Sequence, residues 1–162
     1  MTAVEIVAAG PAHAAVVAAL HAATMGAGGE AQGAHGWSAE WIAKILALPG
    51  AVAMLAFAPG DPPAPVGFAL CLPAGEAFDL AAIGVRGERR RAGIARRLLA
   101  RCEESARAAG ARRLMLEVAE DNEAARAFYA CAGFGEAGRR RGYYRAQAGA
   151  PARDAIVLSK EL

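Results

Sequence analysis

Long apolar runs are missing from this sequence of 162 residues. Its most hydrophobic stretches, such as Ala51–Ala58, are strand-sized and end at Pro or Gly, too short for a helix that crosses a bilayer. The amino terminus, Met1-Thr2-Ala3-Val4-Glu5-Ile6, has no basic region followed by an apolar one. No signal peptide is therefore expected, and a cytoplasmic protein without a membrane partner is. Charge of one sign is also lacking: the formal net charge is +2, which selects neither nucleic acid, nor membrane, nor an acidic partner. Cys71, Cys102 and Cys131 are odd in number and lack C-x-x-C spacing, which argues against a disulfide framework or a zinc ribbon and predicts buried thiols. His13, His21 and His35 show no H-E-x-x-H or clustered ligand spacing, so no metal is expected. Ser38, Ser105 and Ser159 stand outside any G-x-S-x-G elbow, which removes serine hydrolysis.

What is present suits a folded domain. The hydrophobic fraction of 56% argues against disorder, although much of it is alanine, which buries little area, so the core is smaller than the percentage suggests. The length fits one domain over residues 1–162. Ala3–Ala8 reads as a strand, and Pro11 opens a helix to about Thr24. The glycine-rich segment Gly26–Gly36 reads as a mobile loop, and Ser38 starts a second helix that Pro49-Gly50 stops. Ala51–Ala58 and Val66–Leu72 flank the turn Pro59-Gly60-Asp61-Pro62-Pro63 as antiparallel strands, with Ala77–Val85 a further strand. Ile94, Leu98, Leu99, Cys102 and Ala106 recur at helical spacing within Arg91–Ala109, before Gly110. Arg112–Ala119 follows as a strand, Asn122 caps a helix to Ala132, and Phe134–Tyr144 and Asp154–Leu158 close the chain as strands. The order β-α-α-β-β-β-α-β-α-β-β contains one parallel crossover and several hairpins, so the sheet is mixed.

The segment from Val85 to Arg97 joins a strand end to the start of the best helix. A helix start leaves N–H donors without partners and adds partial positive charge, which suits a phosphate. Gly93 and Ala95 allow close backbone approach, and the flanking arginines add charge. The spacing is neither G-x-G-x-x-G nor G-x-x-x-x-G-K-[ST]. A solvated arginine face on an amphipathic helix is the alternative.

Arg90-Arg91-Ala92-Gly93-Ile94-Ala95 resembles the R-x-x-G-x-A acetyl-CoA signature of the GNAT superfamily of N-acetyltransferases. Leu114-Met115-Leu116-Glu117-Val118, then Asn122 through Tyr129, Ala132-Gly133-Phe134-Gly135, Arg139 through Tyr144 and Asp154 through Leu158 extend the likeness. It runs from about Asp79 to the end and is greatest with the bacterial ribosomal-protein alanine N-acetyltransferases. The resemblance implies an α/β (α+β) fold with a mixed, mostly antiparallel central sheet flanked by about four helices. It also implies acetyl-CoA as acetyl donor, bound by Arg90, Arg91, Ala92, Gly93, Ile94, Ala95, Arg96 and Asn122, with Ile83, Gly84 and Val85 along the pantetheine arm. Glu117 takes the general base position, Tyr129 that of the proton donor, and Asp79 matches an acidic position in many relatives. Arg139-Arg140-Arg141 with Tyr143-Tyr144 falls on a substrate-facing strand, with a solvated hairpin as the alternative and no direct nucleic-acid binding expected.

These roles are chemically sound. Acetyl transfer to an amine needs an unprotonated nitrogen, stabilisation of the carbonyl oxyanion and a proton for the departing thiolate. An α-amine has a pKa of about 8, so a base is useful at neutral pH. Glu117 lies in an apolar strand, where desolvation would tune it, or else it pairs with one of the arginines. Asn122 is also an ordinary N-cap, and Tyr129, seven residues on, shares its helix face or else is a core tyrosine tied to backbone. By that resemblance Asp79 could receive a peptide amine, or equally be an exposed strand carboxylate. The sequence leaves open a protein N-terminus, such as that of a ribosomal protein, a small or amino-acid amine as acceptor, and a non-catalytic acyl-CoA-binding module.

The first half departs from the family pattern. Gly36-Trp37-Ser38 stands where relatives commonly have a Pro-Trp-Ser-like element, and Arg86-Gly87-Glu88-Arg89 replaces their usual proline and aromatic residue. Ala82 occupies a position often polar in relatives.

Overall fold

A computed structural model describes residues 3–25, 37–146 and 149–162. The glycine-rich segment 26–36, with His35, lies outside the described residues. The elements are β1 (Glu5–Ala9), α1 (Ala14–Met25), α2 (Ala39–Leu46), β2 (Val52–Ala58), β3 (Ala64–Ala74), β4 (Ala77–Val85), α3 (Ile94–Ala108), β5 (Arg113–Ala119), α4 (Glu123–Cys131), β6 (Gly135–Tyr144) and β7 (Arg153–Glu161). A 3-10 turn at Pro11–His13 leads into α1, and another at Gly87–Arg89 follows β4. This is the order expected from periodicity and turn residues.

The caps act as anticipated. Ser38 Oγ accepts from the Trp41 amide at 3.2 Å, and Asn122 Oδ1 from the Ala125 amide at 3.2 Å, each satisfying a helix-start donor. Several boundaries differ by one to three residues, that of α3 for a reason in the backbone. α3 begins at Ile94 rather than Arg91, because Arg91 (φ 62°) and Gly93 (φ 75°) are left-handed and cannot belong to a right-handed helix. Cys131 also departs from expectation: Cys71 and Cys102 are buried, but Cys131 ends α4 exposed. No helix among the described residues is long and apolar enough to cross a membrane.

The strands form one seven-stranded sheet in the order β1-β2-β3-β4-β5-β7-β6, antiparallel throughout except for β4 against β5. That parallel contact is short, pairing only Ala77–Asp79 with Arg113–Met115. The β3–β4 register shifts at Leu70/Cys71, where Ala82 faces Leu70 and Leu80 faces Cys71, leaving Ala81 as the extra residue of a bulge. A bulge bends and twists its strand. β4 departs from β5 beyond Asp79, and its edge from Leu80 to Val85 has no ladder partner on that side among the described residues.

The two faces of the sheet are covered separately. Leu98, Leu99, Cys102 and Ala106 of α3 pack with Phe78, Leu80, Leu114, Leu116 and the α4 residue Tyr129. On the other face Val17, Leu20, Ile42 and Leu46 of α1 and α2 cover Leu55, Phe68 and Leu70. Each such leucine, removed from water, contributes about 1.5–3 kcal/mol.

α1 approaches β4 most closely at Gly84, where an added Cβ would strike Thr24 Oγ1 and come within 2.9 Å of Phe68 Cε1. Gly84→Ala is therefore expected to cost roughly 1–3 kcal/mol in chemical denaturation, with Thr24→Ala restoring part of it. A neutral Gly84→Ala would contradict this contact.

Candidate active site

Where β4 and β5 part, a cleft of about 760 Å³ opens, bounded by α1, α2, α4 and β6. Beyond Ile83 on its wall, β4 runs on toward the loop before α3. The amides of Arg89 and Arg90 donate to the carbonyls of Arg86 and Gly87 at 2.9 and 3.2 Å, and the Arg97 amide donates to Gly93 at 3.1 Å. Between them the amides of Arg91, Ala92, Gly93, Ile94, Ala95 and Arg96 meet no carbonyl among the described residues. A row of free donors at the start of a fifteen-residue helix is an anion cradle. Gly93 leaves it open, since none of the described residues lies within 4 Å of where its Cβ would stand.

The arginines divide. Arg91 and Arg96 are exposed beside the cradle, whereas Arg90 is tied down. Arg90 Nε donates to the Val85 carbonyl at 3.3 Å and its Nη2 to the Thr24 carbonyl at 3.4 Å, clipping the end of α1 to the end of β4. Along β4, Ile83 lines the cleft, Gly84 receives α1, and Val85 points into the core.

Glu117, Asn122 and Tyr129 come together on the opposite wall. Glu117 Oε1 lies 2.9 Å from Arg140 Nε, and the Glu117 side chain is 21% exposed. Asn122, which lines the cleft, spends Oδ1 on its capping bond and leaves its side-chain nitrogen without a partner among the described residues. Tyr129 is set edge-on against Phe128 and Phe134, with centroids 5.2 and 5.6 Å away. Its hydroxyl has no hydrogen-bond partner among the described residues yet is not sealed from solvent, so it is not a core tyrosine tied to backbone. Burial, and secondarily Cys71, push the phenol upward, which keeps it protonated.

Sequence reasoning gave no place in the cleft to His21 of α1, to Trp41 of α2 or to Trp37 just before α2. His21 stacks on Trp37 with centroids 4.3 Å apart, and Trp37 meets Trp41 at 5.2 Å. Burial lowers the His21 pKa below its ordinary 6.5, so the ring is neutral at neutral pH. The available signal was the spacing of His21, Thr24 and Met25 on one helical face. Arg140 and Tyr143, from the expected substrate-facing strand, do reach the cleft. No group among the described residues could hold a metal ion.

Asp79 stands where the strands part. Burial, then the Glu117 carboxylate, raise its pKa above the ordinary 3.8, against a weaker pull from Arg140. The folded state thus binds this proton more tightly than the unfolded chain. Below the ordinary value both states are protonated, and stability is lost as pH rises through the raised folded value. Asp79→Asn should therefore raise Tm at neutral pH, with the gain disappearing on acidification. A neutral-pH Tm at or below wild type would contradict that environment.

The model of the acetyltransferase (GNAT) family matches residues 27–134. The ribosomal-protein-S18-alanine N-acetyltransferase from Escherichia coli superposes with a TM-score of 0.79 at 24% identity, covering 98% of this chain and 94% of that one. An IAA acetyltransferase from Bacillus cereus gives 0.75 at 20% identity over 99% and 100%. A nourseothricin acetyltransferase gives 0.63 at 29% identity over 70% and 66%. A comparison with curated protein sequences finds no match.

Proposed function

The chain belongs to the GNAT family of acetyl-CoA-dependent acetyltransferases, and from that premise we propose that its acceptor is the N-terminal α-amine of a protein, a ribosomal protein being the first candidate. It acts as a single domain. The observation that carries this reading is the free β4 edge, which leads from the unpartnered amides at Arg91–Arg96 to Glu117 and Tyr129. The likeness to the S18 alanine enzyme supports the peptide acceptor.

The residues present fit acetyl-CoA. The amides from Arg91 to Arg96 would hold the diphosphate, Asn122 would offer its side-chain nitrogen, and the β4 backbone at Ile83, Gly84 and Val85, less the Val85 carbonyl already taken by Arg90, would lie along the pantetheine arm. Bound there, acetyl-CoA supplies a thioester carbonyl and a thiolate leaving group. Glu117 takes a proton from the acceptor ammonium, freeing the nitrogen lone pair for attack. Tyr129 gives its phenolic proton to the departing sulfur and regains one from the newly acylated nitrogen. One proton is released for each acetyl group moved.

A small-molecule amine is the second reading, supported by the likeness to the nourseothricin and IAA enzymes. Labelled acetyl-CoA offered to alanyl peptides and to small amines separates the two. The peptide reading expects kcat/KM to be greatest for the peptides; equal or better transfer to small amines would overturn it.

A further inference from the structure

Two consecutive tyrosines of β6 line the cleft, an arrangement that an unbroken strand does not give. Side chains alternate along a strand, yet Tyr143 and Tyr144 both reach the cleft wall, with ring centroids 5.2 Å apart. The register supplies the reason. Arg140 pairs with Ala155 and Tyr144 with Arg153, so Arg141, Gly142 and Tyr143 stand opposite Asp154 alone. β6 bulges there by two residues, and a bulge re-aims side chains.

Asp154 holds the bulge with both carboxylate oxygens. Its Oδ1 accepts from the amide of Gly142, a residue at φ 60°, at 2.8 Å, and its Oδ2 accepts from Arg139 Nη1 at 2.9 Å. The same Arg139 nitrogen donates to Glu120 Oε2 at 2.9 Å, and Glu120 Oε1 accepts from the Asp154 amide at 3.1 Å. The Gly142 amide, then Arg139, hold the Asp154 carboxyl below its ordinary 3.8, so it is ionised at neutral pH. Arg139 pairs with Ile156, which packs in the core with α3, whereas Arg140 pairs with Ala155, which clusters with Ala119 and Tyr144. The clamp therefore sits on the face of the sheet away from the cleft. Each residue it grips, Arg139 and Gly142, immediately precedes one that serves the cleft. Arg140 Nε lies 2.9 Å from Glu117 Oε1, and the Tyr143 hydroxyl donates to the same carboxylate.

Resting on the reading of Glu117 as the base, we infer that Asp154 is a positioning residue, which from the far face of β6 and β7 sets Arg140 and Tyr143 against the Glu117 carboxylate. Without the clamp that carboxylate loses a guanidinium and a hydrogen-bond donor, and the loss of either makes a carboxylate easier to protonate. The other titratable groups lining the cleft, Asp79 of β4, Tyr129 of α4 and His21 of α1, belong to elements that Asp154 does not grip. Loss of Asp154 thus reaches the reaction through Glu117.

The test is steady-state kinetics across pH on Asp154→Ala and Asp154→Asn, with calorimetry for acetyl-CoA and fluorine NMR of fluorotyrosine-labelled enzyme. Asp154→Ala should lower kcat by about ten- to a hundredfold and keep acetyl-CoA affinity within about twofold of wild type. The acid limb of its pH–rate profile should move up by about half a pH unit or more, and the Tyr143 resonance, assigned with Tyr143→Phe, should shift. Asp154→Asn keeps an oxygen for the Gly142 amide and should recover part of each change. Added to the Arg140→Ala, Tyr143→Phe enzyme, Asp154→Ala should cost less than about twofold more. If Asp154→Ala does not fold, Asp154→Asn and Arg139→Gln, which remove only the ionic half of the clamp, carry the same expectations at smaller size. An unmoved Tyr143 resonance, a full further loss in the Arg140→Ala, Tyr143→Phe enzyme, or an acid limb unmoved where Glu117→Gln alters it would each overturn the inference. The resonance reads the clamp independently of catalysis. If it shifts on loss of Asp154 while Glu117→Gln keeps wild-type kcat, the base reading fails and the positioning of Arg140 and Tyr143 by Asp154 stands.

Discussion

Glu117→Gln and Tyr129→Phe are each expected to lower kcat by about 10²–10⁴-fold, the usual loss on removing a positioned base or acid. Acetyl-CoA affinity should barely change, because neither side chain belongs to the segment Arg91–Arg96 whose amides are free. The variants should differ in kind. Glu117→Gln breaks the ion pair with Arg140 and should alter the acid limb of the pH–rate profile. Tyr129→Phe should be partly rescued by acyl donors with less basic leaving groups, which need a proton less. Steady-state kinetics across pH, with calorimetry for cofactor affinity, reads all of this. Near wild-type kcat in both variants on a good acceptor would remove the base and acid assignments.

Gly93→Glu should weaken acetyl-CoA binding at least about a hundredfold, since a carboxylate would stand where the diphosphate meets the helix start and like charges juxtaposed cost several kcal/mol. The left-handed backbone at Gly93, φ 75°, adds a second effect. A side chain there costs about 1–2 kcal/mol, although the surrounding space is open. Gly93→Asn separates the two contributions, because asparagine tolerates this conformation and carries no charge. It should retain most of the affinity that Gly93→Glu loses. Equal losses in folded protein would place the cause in the backbone, and retained affinity in Gly93→Glu would place the phosphates elsewhere.

Element order was legible in the sequence because it depends on local signals. Apolar spacing marked α3, Ser38 and Asn122 marked helix starts, and the Pro59–Pro63 turn marked the β2–β3 hairpin. What escaped depends on partners distant along the chain. The shift at Leu70/Cys71 that sends β4 away from β5 leaves no periodic trace in either strand. A pairing of Glu117 with an arginine was legible, but not which one: Arg140 lies on β6, which β7 separates from β5 in the sheet. Arg90 lies within the phosphate signature, yet its side chain serves the Thr24 and Val85 carbonyls, a contact visible only once α1 lies against Gly84. The family resemblance therefore nominated Glu117, Asn122, Tyr129 and the acidic position at Asp79, while the partners around them emerged only from the fold.

The central claim, that the opening between β4 and β5 and the free amides before α3 receive acetyl-CoA, is tested most directly by amide hydrogen exchange with and without the cofactor. Amides without intramolecular partners exchange readily until a ligand engages them. Acetyl-CoA should slow exchange at Arg91–Arg96 and along Leu80–Val85, and ATP should not reproduce the β4 protection. Unchanged exchange at both segments with saturating acetyl-CoA, or protection confined to the separate cavity between α4 and β6, would contradict the account.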